Sequence, residues 1–217
     1  MSEILKTVKQ HPKVFKLVYK NMSEADIISF LNVHPFLIED IENPTIDMMF
    51  AAIQEDTDSI LYIENPPKAM IRHAIVCNPK IIRRFKNYKI DIPKDLHSFI
   101  ISENPLLLEY IDDPEESIIV EAVTADFRAI KNIPNPSLEV QLSAIKNSNK
   151  GRAIELIKNL HEDAAMAAIE IDPDNIRYVK KEYQTEKIIE FYIDRCTSSN
   201  DLSFDFYQIH TITENIL

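Results

Sequence analysis

The sequence predicts an all-α protein, an α-solenoid of about eight two-helix repeats that are each roughly 22 residues long. Three features of the sequence support this fold. A small or apolar residue recurs at a reference position in each repeat, an Asn or Asp precedes it by nine residues, and a polar residue follows it by four. Because these three columns keep the same phase along the chain, we favour a true repeat over chance periodicity in an ordinary helical domain.

The first helix of each repeat is predicted from the first two columns, most clearly in residues 43–64, NPTIDMMFAAIQEDTDSILYIE. Asn and Asp side chains accept hydrogen bonds from the free amides of a first helical turn, and a Pro just inside the start presets φ. We therefore expect the earlier column to be the N-cap of this helix. The reference column holds Thr7, Phe30, Ala52, Ala74, Ile100, Ala122, Ala144 and Ala168; the expected N-cap column holds Asn21, Asn43, Asn65, Asp91, Asp113, Asn135 and Asn159.

The second helix of each repeat is predicted from the polar column after the reference position, where Pro often follows. The spacing of the two cap columns indicates about three turns for the first helix and about two for the second. An apolar column eleven residues after the reference position should face the core. The polar column holds His11, His34, Asp56, Asn78, Asn104, Asp126, Ser148 and Asp172; the apolar column holds Val18, Ile41, Ile63, Phe85, Ile111, Ile133 and Val179, and Ile157 joins it if two residues are inserted near 149–152.

A single repeat cannot bury its own apolar face. In the clearest repeat, Met48, Met49, Ala52 and Ile53 share one face of the first helix. Stacked repeats would cover such faces, and the small residue at the reference position would let neighbouring helices approach closely. We therefore expect a curved, elongated rod with one concave and one convex surface.

The chain is predicted to form one helical-repeat domain over residues 1–217. Residues 1–20 are interpreted as a partial N-terminal repeat, 21–180 as full repeats and 181–217 as C-terminal capping helices. One helix is expected within 183–196 and another within 202–217. The last repeat of a solenoid has to shield the open end of its core, so we favour a capping role for these helices. A homodimer contact is the alternative, and a monomer or a homodimer is expected.

Composition excludes several classes of function. The net charge of −11 disfavours non-specific binding to nucleic-acid phosphates. The one glycine, Gly151, excludes glycine-rich phosphate loops and a dinucleotide fingerprint. Cys77 and Cys196 form no motif, and the histidines lack the spacing of metal ligands. We therefore expect no enzyme activity, no cofactor, no metal site and no membrane segment, and a cytoplasmic protein with reduced cysteines.

Charged residues are segregated into three blocks. Residues 39–64 carry eight acidic residues and no Lys or Arg, residues 65–94 carry eight basic residues against Asp91 alone, and residues 103–126 carry eight unopposed acidic residues. The basic block also contains a four-residue insertion near 86–90, and insertions in repeat proteins commonly form loops on the binding face. The candidate partner-binding residues, here called the basic patch, are Arg83, Arg84, Lys86, Tyr88 and Lys89.

Two interpretations of the charged blocks remain open. The basic patch could bind an acidic protein, a phosphate group or the end of a nucleic acid. Alternatively, and with more weight, its side chains pair with the acidic repeats on either side and set the register of the stack. The acidic blocks are interpreted mainly as solvated helix faces, and the other reading is that they mimic a polyanion and dock onto a basic partner.

Two segments resemble a known family. NPTIDMMFAAIQEDTDSILYIENP and DPEESIIVEAVTADFRAIKNIPNPS are similar to short tandem α-helical repeats of unknown function, which occur in phage, large-virus and bacterial effector proteins. The resemblance covers roughly residues 21–181. It implies a helical-repeat architecture and no activity, because that family has no common catalytic residues to carry over. Phe30 and Ile100 depart from the Ala of the reference column.

The function expected from these features is a protein–protein interaction scaffold or a steric inhibitor. A preformed surface loses little entropy when it docks to a protein partner. The special case that the resemblance favours is a viral or phage antagonist of a host factor, acting in the host cytoplasm. The alternative is binding of a nucleic acid or nucleotide through the basic patch around residues 80–89, although a base-per-repeat code needs contact residues in every repeat.

Overall fold

The computed structural model describes residues 7, 8 and 10–198, and within them every regular element is a helix and none is a strand. The predicted all-α fold is therefore confirmed. No helix of the described chain is both long and apolar enough to cross a bilayer. The α-helices are α1 Phe15–Val18, α2 Glu24–Leu31, α3 Ile46–Glu55, α4 Lys68–Cys77, α5 Ile82–Tyr88, α6 His97–Glu103, α7 Glu116–Ala125, α8 Leu138–Asn147, α9 Glu162–Ile171 and α10 Glu186–Ser198.

The second helix of most repeats is a short 3-10 helix. Six residues at three per turn give the two turns that the cap spacing predicts. The polar column caps these segments only where it holds Asp or Asn: Asp56, Asn78, Asp126 and Asp172 each accept a hydrogen bond from the backbone amide two residues later. His11, His34 and Ser148 make no such bond, so the predicted side-chain cap is wrong at these three positions. The 3-10 helices are Pro12–Val14, Tyr19–Asn21, Pro35–Asp40, Thr57–Tyr62, Pro79–Ile81, Lys94–Leu96, Pro105–Tyr110, Phe127–Asn132, Asn149–Leu156, Pro173–Tyr178 and Lys181–Tyr183.

The N-caps of the α-helices lie two residues later than the Asn/Asp column predicts, so that assignment was wrong. Thr45 caps α3 by accepting from the Met48 amide, and Ser137 caps α8 in the same way. Asn43 and Asn65 instead adopt positive φ angles of 54° and 51°. Asn and Asp enter the left-handed region more readily than other side chains. The column therefore forms the turn that leads into the cap.

The helices group into two compact units. Among the described residues, the first unit runs to Glu103 and also contains Tyr110–Asp112. The second unit contains Asn104–Glu109 and resumes at Asp113. The single 1–217 domain and the curved solenoid stay predictions. The helix expected within 183–196 is α10, preceded by a 3-10 turn that ends at Tyr183. The helix expected within 202–217 lies outside the described residues.

Within each unit, consecutive α-helices pack side by side through the reference column. In the first unit α2 packs on α3 and α3 on α4, with Ala52 and Ala74 fully buried. In the second unit α7, α8, α9 and α10 pack in succession, with Ala122, Ala144 and Ala168 fully buried. An Ala side chain lets two helix backbones approach closely, so this column holds successive repeats together.

Polar contacts between repeats follow the same period. Lys20 donates to Glu42 over 2.8 Å and across 22 residues of sequence. Asn132 donates to Glu109 over 2.9 Å across 23 residues, and Lys187 donates to Glu162 over 3.0 Å across 25 residues. Each bond joins a residue to an adjacent repeat of its own unit. Residues that lie about one period apart in the sequence are therefore neighbours in space.

Candidate functional site

The basic patch lies mostly on a helix and not on the loop that the insertion predicted. The segment Pro79–Ile81 continues directly into α5, so the four extra residues lengthen the second helix of this repeat. Ile82 and Phe85 of α5 are buried. Lys89 ends the helix with a φ of 55°, and its amide and that of Ile90 bond back to Lys86 and Phe85. Lys86 and Tyr88 are therefore helical residues, and only Lys89 lies in a turn.

Arg84 and Tyr88 contact the preceding repeat. The Arg84 guanidinium donates to the Asp58 carboxylate and lies 5.8 Å from the centre of the Tyr88 ring. Burial opposes the charge of Arg84, but its bonds with Tyr88 and Asp58 outweigh that effect and raise its pKa. The Tyr88 ring packs edge-on against Tyr62 with 6.2 Å between centroids. Arg84 and Tyr88 are therefore held by contacts with Asp58 and Tyr62 of the preceding repeat.

Arg83 and Lys86 lie near Tyr110 and Asp112, which come later in the chain and belong to the same unit. The Arg83 guanidinium lies 5.8 Å from the centre of the Tyr110 ring. Lys86 Nζ lies 4.0 Å from Asp112, and both of these side chains are more than four-fifths exposed. Such exposed pairs contribute little stability. Within the described chain Lys89 forms no ion pair or side-chain hydrogen bond and is the patch residue most available to a partner.

A further basic residue of the same repeat is also paired. Arg72 donates to Asp95, and this bond holds the pKa of the Asp95 carboxyl below its ordinary value. Three basic side chains of the block, those of Arg72, Arg84 and Lys86, therefore face carboxylates of neighbouring segments. Pairing between neighbouring repeats therefore involves three of the eight basic residues of the block. A binding role for the basic patch stays a prediction.

A small cavity lies beside the basic patch, where the insertion separates two helices. Its volume is about 190 Å³. Phe85, Ile90 and the buried His97 line it together with Tyr110, and two lysines and two aspartates also face it. The four charged side chains cancel, so the cavity favours no ligand of either sign.

A second surface, which the sequence did not predict, lies on α3 and α4. Ile46, Phe50 and Val76 stay 62%, 45% and 54% exposed although they are large and apolar. The Phe50 ring stacks on His73 of the next helix, with 4.5 Å between ring centroids. Ile46 lies one turn before Phe50, and Val76 lies three residues after His73. These four side chains are here called the outer apolar patch.

The outer apolar patch left a weak signal in the sequence. Phe50 lies two residues before the reference Ala, outside the face that Met48, Ala52 and Ile53 bury. An apolar residue at this position of the helix does not reach the core. The repeat columns could not reveal it, because the equivalent residue in the next repeat is Arg72.

Among the residues that the structure describes, side chains that could bind a metal ion are not clustered. In the described part of the chain, no group of three or more His, Cys, Asp or Glu residues stands close enough to hold a metal ion. His73 has Cys77 as a neighbour, with 3.7 Å between Nε2 and Sγ, and Cys77 is an exposed free thiol. Two donors alone do not make a metal site.

Comparison with known proteins gave no match: no family model, no curated protein and no solved structure is significantly similar to the chain. The resemblance to tandem helical repeats of phage, viral and effector proteins therefore stays a prediction.

Proposed function

We propose that the protein binds another protein through the outer apolar patch and acts sterically, as an interaction scaffold or an inhibitor. The observation that carries this proposal is the exposure of three large apolar side chains, Ile46, Phe50 and Val76, on two adjoining helices. Contiguous exposed apolar surface on a folded protein commonly marks an interaction site. Aromatic residues are also enriched in such interfaces.

The rigidity of the supporting helices favours this function. Helices α3 and α4 pack against each other through buried Ala52 and Ala74, and Thr45 caps the start of α3. Because the Phe50 ring already stacks on His73, docking at this ring would order few additional groups and would lose little entropy. A phage or viral antagonist of a host factor is the form of this function that the sequence resemblance suggests.

Nucleic-acid binding through the basic patch is the alternative, and it has less support. Arg83, Arg84 and Lys86 all have partners within their own unit, so a phosphate would have to compete with existing contacts. A titration with short RNA and DNA over a range of salt concentrations tests it. A steep salt slope that weakens on reversal of Arg83 and Arg84 would support the alternative; a flat, weak response would remove it.

The substitution Phe50→Glu tests the proposed function. It places a charge in the centre of the outer apolar patch, and we expect at least about tenfold weaker retention of a defined protein partner from cell lysate. Ile171→Glu is the matched control, because Ile171 is 47% exposed and lies on α9 of the other unit. Circular dichroism should show both variants folded. Equal retention by Phe50→Glu and the wild-type protein would overturn the proposal.

A further inference from the structure

A shallow groove lined in part by apolar side chains opens in the first unit along the segment Pro35–Asp40. Its volume is about 650 Å³. Val33 and Phe36 line it and remain 68% and 45% exposed. Pro12 and Leu37 add further apolar surface to its lining. It is separate from the outer apolar patch, because none of the residues of that patch line it.

The charged residues that line this groove are all acidic. Glu39, Asp40, Glu55 and Asp56 all line it, and no Lys or Arg does so. Asp40 has a cationic neighbour, because Lys16 Nζ lies 3.3 Å from its carboxylate. Within the described residues the other three carboxylates form no ion pair. The groove therefore combines exposed apolar side chains with uncompensated negative charge, and we refer to it as the acidic groove.

The shape of the acidic groove is fixed before any ligand arrives. The Phe36 ring packs edge-on against Tyr62, with 5.6 Å between centroids. The His34 amide bonds to the Phe30 carbonyl over 2.7 Å, and Ile38 anchors the segment in the core. A groove supported in this way offers a ready site for an extended or helical segment.

The charge of the acidic groove is not shared by every repeat. Counted from the reference column, the same positions in the repeat of Ala122 lack the aromatic residue and carry basic side chains and no acidic ones. Val33, Phe36, Glu39, Asp40, Glu55 and Asp56 correspond there to Ala125, Arg128, Lys131, Asn132, Asn147 and Ser148. The repeat pattern alone therefore does not produce this combination.

We propose that the acidic groove binds a basic segment of the partner protein, with Lys or Arg side chains facing its carboxylates and one apolar side chain against Val33 and Phe36. Charge complementarity selects this occupant, because a lining without Lys or Arg favours cations and rejects polyanions. Val33 and Phe36 add the apolar anchor that a purely electrostatic contact lacks. The inference rests on the proposed function and names the chemistry of its partner.

A labelled short peptide of Lys and Arg around one central Leu is the probe. Fluorescence anisotropy should show it bound by the wild-type protein. Glu39→Lys combined with Glu55→Lys should weaken binding by about tenfold or more, because two attractions become repulsions. Phe36→Ala should weaken it by a similar factor. The matched control is Lys131→Ala, which occupies the position of Glu39 in the second unit and should leave affinity unchanged.

Two control peptides separate a built groove from general attraction to an acidic protein. Replacing the Leu with Ala should weaken binding, and replacing the basic residues with Glu should abolish it. Equal affinity for the Leu and Ala peptides, or an unchanged affinity of Phe36→Ala, would overturn the inference. So would a failure of the wild-type protein to bind the basic peptide at low salt.

The same peptide distinguishes this inference from the proposed function. Phe50→Glu lies outside the acidic groove and should bind the peptide as the wild-type protein does. If the peptide fails to bind while Phe50→Glu still loses its lysate partner, the inference falls and the proposed function stands. If the peptide binds as expected while Phe50→Glu retains every partner, the proposed function of the outer apolar patch falls.

Discussion

Two insertions interrupt the repeat, one in each unit, and the structure accommodates them differently. The four extra residues near 86–90 extend the second helix of their repeat to Tyr88 and leave a cavity of about 190 Å³ next to Phe85 and Ile90. The two extra residues near 149–152 form a left-handed turn at Lys150 and Gly151, with φ angles of 53° and 72°. The longer insertion opens the packing, whereas the shorter one is absorbed within a turn.

A buried amide closes the second insertion. The Asn175 side chain is fully buried and donates to the carbonyls of Lys150 and Ala168, each over 2.8 Å. Ser148 also bridges the turn, since its hydroxyl donates to the Ile145 carbonyl and accepts from the Ala153 amide. Ser59 makes a comparable bond to the Ala52 carbonyl in a repeat without an insertion. Of these bonds, the one from Asn175 to the Lys150 carbonyl joins a side chain to the backbone of the preceding repeat.

The two insertions differ in the partners that their extra polar groups find. At 149–152 two backbone groups bond to buried side chains, the Lys150 carbonyl to Asn175 and the Ala153 amide to Ser148. At 86–90 the extra residues bring Lys86 and Lys89 to the surface, and the carboxylate near Lys86 is exposed. We therefore expect the second insertion to be the more costly of the two to disturb.

The largest effect is expected for Asn175→Ala. The substitution removes both donors and leaves the buried Ala168 carbonyl without this partner, so the free energy of unfolding should fall by about 2–3 kcal/mol. Urea denaturation measures it. Asn149→Ala is the control, because Asn149 is exposed and begins the same turn, and its effect should stay within about 0.5 kcal/mol. Similar losses for the two variants would contradict the closing role of Asn175.

Periodicity made much of the fold predictable. Burial at Ala52 and capping at Asp56 depend on local spacing, which the sequence carries. The α-helix N-caps were misplaced because two good cap residues, such as Asn43 and Thr45, lie two positions apart, and only the backbone angles decide between them. The repeat columns did not predict the outer apolar patch or the acidic groove, because both depend on which side chains neighbouring repeats leave uncovered.

The sequence favours pairing of the basic patch with the acidic repeats on either side over partner binding, and Arg84 and Lys86 have acidic neighbours of this kind. Arg84 bonds with Asp58 and Arg72 with Asp95, each across one repeat. The sequence could not reveal which basic side chains would lack an acidic neighbour, because that depends on the direction in which α5 runs. Lys89 stays outside the pairing because it follows the end of that helix.

A smaller effect is expected for Gly151→Ala. A Cβ atom at this position would lie 2.9 Å from the Asn175 amide nitrogen, and the φ of 72° disfavours any side chain. We expect a loss of about 1–2 kcal/mol in thermal or urea unfolding. In the Asn175→Ala background the close contact is gone, so the same substitution should cost less. An equal cost in both backgrounds would show that the backbone angle alone disfavours Ala.

The smallest effect, and the one with opposite sign, is expected at the first insertion. Lys89 holds a positive φ that costs a side chain about 1 kcal/mol, so Lys89→Gly should stabilise the protein by about 0.5 kcal/mol after the extra entropy of glycine in the unfolded chain. Asn87→Gly is the control, because Asn87 is exposed inside α5 and glycine there should destabilise the helix. If Lys89→Gly were as destabilising as Asn87→Gly in urea unfolding, the left-handed turn would not be strained, and the first insertion would be as settled as the second.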